Sequence, residues 1–230
     1  MRLVGIGGAA VLTALVALSA PASGALIVTQ AQGDGSAWIH PDPIIRTDGG
    51  NPPNYFTSGE SLSSGGTLAQ TFTPTVDFIL DKIDVAYTSS AASTIGVRIA
   101  ESETRLNDAE TAYVYTRGTV LVDLTFALDV ATGGTKVLTL DFTGSDQVSL
   151  KQGQQYVLEF YDPGLGSVSF GLRRRASDLY SGGMLFKNGT SVNNLGPRDA
   201  PIQIFEVPEP SALAGLGLAG VAMLGRRRGA

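Results

Sequence analysis

Few side chains in this sequence could make or break bonds. Its 230 residues include one histidine, His40, and no cysteine. Without Cys there is no disulfide scaffold, zinc knuckle, iron–sulfur cluster or thiol nucleophile. A single His leaves no His-rich metal site and no basis for a metallohydrolase or a Ser–His–Asp triad. Paired carboxylates come next, since two of them across a cleft can cleave a glycosidic bond. Asp81 and Asp84, three apart, face opposite sides of a strand, while Glu101 and Glu103 share a face at a strand end beside Ser102, Thr104 and Arg105. Both pairs read as solvated turn and face charges. His40, ahead of Pro41-Asp42-Pro43, reads as a surface residue rather than a base. Gly164-Leu165-Gly166-Ser167-Val168 comes nearest to a nucleophile elbow, but it is a turn before a strand with no helix behind it. No Gly-rich phosphate cradle with Lys is present. The expectation is a protein that is not an enzyme and has no catalytic residue.

Binding chemistry has better material. Sugars stack on exposed aromatics beside hydrogen-bonding side chains, and Trp38, Tyr55, Tyr113, Tyr115 and Tyr180 are the available rings. Trp38 also suits a core plug; Tyr180, beside Ser181-Gly182-Gly183, stands where backbone and ligand could approach. Arg173-Arg174-Arg175 could grip an acidic polysaccharide, at most two of them sharing a face, or could mark an exposed edge that discourages strand pairing. The ligand-binding candidates are therefore Trp38, Tyr180, Arg173 and Arg175. No cofactor or metal ligand set is expected. A structural calcium stays open, because Asp34, Asp42, Asp48, Asp162, Asp178 and Asp199 fall in loops of an acidic body, though without Asp-x-Asp-x-Asp-Gly spacing.

The elements that must position these residues begin after an export signal. Met1-Arg2, an apolar run over 3–18 and the small residues Ala20-Pro21-Ala22-Ser23-Gly24-Ala25 make a secretory signal, with cleavage after Ala22 or Ala25. Residues 26–66 form a Gly/Pro-rich segment; 31–66 alone holds seven Gly and four Pro. Its apolar residues Trp38, Ile44, Ile45, Tyr55 and Phe56 suggest packing on the core, and Ala37-Trp38-Ile39 could be a short strand.

From residue 67 the pattern has period two: Leu68, Gln70, Phe72; then Ile83, Val85, Tyr87; then Leu124, Phe126, Leu128. Further candidate strands are 94–100, 113–115, 120–130, 136–142, 155–161, 167–174, 184–186 and 201–207, with one wetter face on 155–161. Between the termini no stretch has helical periodicity over ten residues, and no repeat is apparent. Eight to ten short strands without crossover helices specify an all-β antiparallel two-sheet sandwich over 67–206, with jelly-roll topology the first choice.

Composition agrees. The chain is 43% hydrophobic and 16% charged, too apolar for disorder. Removing both ends leaves 12 basic and 20 acidic residues over 26–206, a net charge near −8. That disfavours nucleic acid as a partner.

The C-terminus, 207–230, is the most specific stretch. Pro208-Glu209-Pro210 precedes a 14-residue apolar run, 211–224, and the chain closes with Gly225-Arg226-Arg227-Arg228-Gly229-Ala230. As a helix the run would reach about 21 Å, short of the ~30 Å of bilayer hydrocarbon. The prolines keep the stem extended, and the arginines would hold the C-terminal end on the cytoplasmic side. A marginal membrane helix of this kind makes a temporary hold, and an ordinary tail anchor is the alternative.

Those residues together resemble the PEP-CTERM sorting domain, a family found on exported proteins of Gram-negative bacteria. The resemblance covers about residues 207–228 and makes Pro208, Glu209, Pro210, Arg226, Arg227 and Arg228 the sorting motif. It implies export by the general secretion machinery and a transient stay in the inner membrane. It further implies tail removal by exosortase, a membrane-embedded cysteine transpeptidase, and delivery to the cell surface or matrix. The strand block resembles the exported choice-of-anchor β-sandwich modules. The residues that carry this are 68–73, 80–83, Gly153-Gln154-Gln155-Tyr156-Val157-Leu158-Glu159-Phe160 and 180–189. Together the residues and resemblances predict a non-enzymatic surface or matrix protein associated with exopolysaccharide or biofilm. The rival is a carbohydrate-binding module for a matrix polysaccharide, and a degenerate glycan-active enzyme is a third reading.

Overall fold

The computed structural model describes residues 26–30, 37–56, 58–165, 167–174 and 178–208. The signal segment, the apolar C-terminal segment, Asp34, Arg175, Glu209, Pro210 and Arg226 to Arg228 lie outside the described residues.

Among the described residues the chain is all-β, with fourteen strands and two single-turn 3-10 helices. The first sheet runs in the order β1 (Leu26–Gln30), β8 (Ala131–Phe142), β5 (Phe78–Ser89), β11 (Gly171–Arg174), β3 (Ser58–Ser61), all neighbours antiparallel. β14 (Ile202–Glu206) pairs with the first half of β5, and β2 (Ile45–Arg46) adds to β14. The second sheet runs β10 (Tyr156–Tyr161), β4 (Thr67–Phe72), β12 (Leu185–Lys187), β13 (Thr190–Ser191), β7 (Tyr113–Leu128), β6 (Ser93–Leu106), and β6 closes back onto β10. Two antiparallel sheets face to face make the sandwich that the period-two pattern specifies. β5 and β8 pair in the first sheet, while the β6–β7 hairpin between them belongs to the second.

Alternation decides what each strand buries. Ile83, Val85 and Tyr87 of β5, with Leu138, Leu140, Ile202 and Ile204, meet Leu68, Phe72, Ile95, Val97, Ile99, Tyr156, Leu158 and Phe160 of the second sheet. Phe170 sits between the layers, its ring 4.8 Å from Phe160 and 5.9 Å from Tyr87. Burial of each such side chain contributes about 1.5–3 kcal/mol relative to exposure.

The other face of β10 is not wet, contrary to expectation: Val157 is fully buried and Glu159 is 2% exposed. The cause lies in the β6–β7 hairpin. Ile99, Ala100 and Ser102 of β6 face Val122, Val120 and Arg117, so β7 carries extra residues. Such bulges bend a strand pair. The distal half of the hairpin turns over β4, β10 and β12, and β13 ties it down through Thr190 and Val114. A second, small interior results, built from Ala69, Ala100, Val157 and Phe186 with Tyr113, Tyr115 and Met184 packed against them.

Three further expectations are corrected. Residues 26–66 do not merely pack on the sandwich: they supply β1, β2 and β3 to the first sheet. Ala37 to Ile39 form bends rather than a strand. Arg173 and Arg174 are half-buried and paired with Gly59 and Ser58 of β3 rather than standing on an exposed edge.

Candidate functional site

A cleft of about 500 Å³ lies where β5 ends and β11 begins, lined in part by Ser61, Thr88, Ser89, Ser90, Ser169 and Arg173. Its position follows from topology. β5 runs out at Ser89 and β11 enters the same sheet after Phe170, which is anchored in the core, so the turn that follows β5 lies against the segment leading into β11. Serines hold that turn. Ser89 Oγ lies 2.6 Å from the Ser169 carbonyl and 2.8 Å from that of Ala91. Ser169 Oγ accepts from the N–H groups of Ser90 and Ala91. Gly171 passes close to neighbouring strands, where a Cβ would meet Thr88 Oγ1 at 3.0 Å and the Glu60 carbonyl at 3.2 Å. Arg173 is half-buried at the cleft wall, and burial holds its guanidinium below the ordinary value. Arg174 pairs with Glu60 at 2.8 Å.

Of the four ligand candidates the cleft takes Arg173; Trp38 and Tyr180 lie elsewhere, and Arg175 is outside the described residues. Trp38 is half-buried in the segment ahead of β2, donating its Nε1–H to the Asn51 carbonyl at 2.8 Å. Tyr180 packs against the main core as a latch. Its hydroxyl accepts from Thr73 N–H at 3.1 Å and lies 2.9 Å from the Thr73 carbonyl. Gly182 makes room for that ring, since a Cβ there would stand 2.5 Å from it. Tyr113 and Tyr115 line the second interior, and Tyr55 is 47% exposed.

The titratable groups are engaged with one another. Glu159, in the second interior, receives Arg98 at 2.6 Å, Arg117 at 2.7 Å and the Tyr115 hydroxyl. Burial and that carboxylate push the Tyr115 phenol up. Arg98 also grips Asp123 through Nε and Nη2, and its guanidinium lies over Tyr161, 4.3 Å from the ring centroid. Tyr161 rests on Gly96, where a Cβ would fall 2.2 Å from the ring. Burial works to raise the Asp123 carboxyl, but the Tyr161 hydroxyl and Arg98 together hold it below the usual range. Two carboxylates thus share one arginine, which suits a clasp.

Two interactions escaped the sequence reading. Asp84 is fully buried rather than a solvated face charge, and His40 is its partner rather than a lone surface residue. His40 Nδ1 lies 3.0 Å from Asp84 Oδ2, Thr139 donates to Oδ1 at 2.6 Å, and the imidazole meets Phe205 edge-on at 5.5 Å. Such a pair orients an imidazole as in catalytic dyads. Among the described residues, however, no hydroxyl is bonded to the second ring nitrogen. The available signal was a charge set between Ile83 and Val85 in a strand. The other missed pair is Gln70 with Asp199, 129 residues apart. Asp199 also accepts from the N–H groups of Leu179 and Tyr180, at 2.8 and 2.9 Å, which fixes the 178–184 loop. Burial pushes its carboxyl up to about 7 against the pull of those donors.

Among the described residues no three His, Asp or Glu side chains gather as a metal site, and no helix is long and apolar enough to cross a membrane. At the far end of the molecule, Val207 N–H bonds the Ile79 carbonyl at 2.9 Å, and Pro208 lies exposed beside Phe78 and Ile79. The class that fold and site define is an all-β, two-sheet antiparallel protein with a serine-lined cleft. The chain matches no family model and no curated protein.

Proposed function

We propose that this is an exported, non-enzymatic β-sandwich protein of the cell surface or extracellular matrix, sorted by its C-terminal tail. The helical ends and a jelly-roll-like arrangement of the sandwich belong to this reading. The observation that carries it is where the tail begins. Among the described residues the last backbone bond is made by Val207, and in the sequence Pro208-Glu209-Pro210, the apolar run and Arg226-Arg227-Arg228 follow without a spacer. A folded body followed at once by the stem and short apolar run expected from the sequence suits brief retention at the inner membrane, then release by exosortase. Paired carboxylates held by arginine support the non-enzymatic part.

Structural calcium is not required in this reading. The loop carboxylates of Asp48, Asp162 and Asp199 are taken up by N–H donors of the protein itself. The second reading, a carbohydrate-binding module, is favoured by the cleft around Arg173.

The test is the intact mass of the mature protein, from membranes and from medium, with and without the host exosortase. The expected mass lacks the signal and the tail, and Glu209→Ala or deletion of Arg226 to Arg228 leaves unprocessed protein in the membrane. A Glu209→Ala protein processed and released normally would overturn the sorting reading.

A further inference from the structure

Counting donors in the cleft beside Arg173 identifies what it can accept. Ser169 Oγ receives the backbone N–H groups of Ser90 and Ala91 at 2.8 and 3.1 Å, which uses both of its lone pairs. Its own hydrogen is therefore directed at Ser90 Oγ, 2.9 Å away. Ser90 is exposed and already accepting, so its hydroxyl hydrogen is left to donate outward. Arg173 lines the same cleft, and a guanidinium has donors only. Among the described residues no Asp or Glu lines the cleft, although the body as a whole carries a net charge near −8. Phe170 and Leu62 give the space an apolar floor. Its volume of about 500 Å³ falls within the ~300–1,000 Å³ of small-ligand clefts.

The geometry points to a subsite for a carboxylate-bearing sugar, a uronate unit of an acidic glycan. Arg173 and Ser90 donate to the carboxylate, the Ser61 and Thr88 hydroxyls meet ring hydroxyls, and the apolar floor takes a C–H face of the ring. An acidic protein needs such a local gap in its charge to admit an anion. The subsite does not depend on the fate of the tail. A chain that is sorted normally and binds no uronate sinks only this inference, and a chain that binds uronate but keeps its tail sinks only the sorting reading.

The experiment is calorimetric titration of the full chain in detergent micelles with tri-galacturonate and, separately, with maltotriose. Tri-galacturonate binds and maltotriose does not. Arg173→Gln weakens binding about tenfold or more, the scale of one charge-assisted hydrogen bond, and Ser90→Ala weakens it severalfold. Arg105→Gln, which alters an exposed arginine paired with Asp108 at the β6–β7 tip, changes nothing. Melting temperatures report whether each variant is folded; if Arg173→Gln is not, Ser90→Ala carries the test. Equal binding of maltotriose, unchanged affinity in folded Arg173→Gln, an equal loss in Arg105→Gln, or no binding of tri-galacturonate would each overturn the inference.

Discussion

The molecule has two interiors that share the strands β4, β6, β7 and β10 and are stabilised by different means. The one between the sheets is almost wholly apolar, from Leu68 and Phe72 through Tyr156, Leu158 and Phe160. The one under the folded-over hairpin sets four small or apolar side chains around a carboxylate, Glu159, with two arginines and a tyrosine. Successive residues of a single strand, Leu158, Glu159 and Phe160, point alternately into the two. Area removed from water stabilises the first, whereas the second must offset the desolvation of ions with well-aligned hydrogen bonds. The difference teaches that the large interior tolerates imprecision, while the small one depends on every partner being in place.

The largest effect that separates them is loss of an aromatic from the first interior. Phe160→Ala removes a fully buried ring that packs on Phe170, which costs about 3–5 kcal/mol. For a domain of this size that is a fall in melting temperature of roughly 10 °C, read by calorimetry. Both interiors should unfold in that single transition. Separate melting of the second would mean that the hairpin folds independently and that the two interiors are not coupled.

A smaller loss is expected from Glu159→Gln, which keeps volume but removes the charge facing Arg98 and Arg117. With Glu159 2% exposed, the cost is about 2–3 kcal/mol, as for a buried ionic cluster that loses one partner but keeps some hydrogen bonds. Urea unfolding should show a lower midpoint with an unchanged slope. A change within ~0.5 kcal/mol would be the behaviour of a surface residue. It would mean that water reaches the cluster, so that the second interior is only a fold of the surface.

The same contrast explains what the sequence made legible. Period two in Ile83, Val85, Tyr87 and in Phe126, Leu128 exposes the first interior, because apolar burial leaves an apolar pattern. The second left Thr, Ser, Arg and Glu on its lining strands, so β10 reads as half-wet and Tyr113 and Tyr115 as surface rings. What buries them is a bulge in a long hairpin, and bulges leave no mark in alternation when the extra residues are Leu, Thr or Gly. β3 was missed for another reason: Ser58–Ser61 has no apolar residue and is a strand only because β11 pairs with it. Arg173 was legible as a ligand candidate from its chemistry alone. Ser169 is near it in sequence, but Ser61, Ser89 and Ser90 come from distant segments, and only the fold joins them. His40 with Asp84 and Gln70 with Asp199 were illegible for the same reason.

The last effect, read as a dependence on pH, tests a place where the first interior is not apolar. Gln70 shares the face of Leu68 and Phe72, and it buries Asp199 with it. Burial raises the folded Asp199 carboxyl from 3.8 to about 7. In that interval the folded protein holds a proton that the unfolded chain has lost. This contribution to stability is therefore complete below pH 3.8 and disappears as pH rises through about 7. The slope should be that of one proton at most, because the N–H donors of Leu179, Tyr180 and Gln70 already oppose the burial in setting where the carboxyl titrates. Asp199→Asn cannot titrate, so the difference in melting temperature between the two proteins should vary with pH between 4 and 7 and level off above. A difference that stays constant across that interval would mean that Asp199 is ionised throughout and held by its three donors. The first interior would then contain a buried charge as well, and the two interiors would differ in degree rather than in kind.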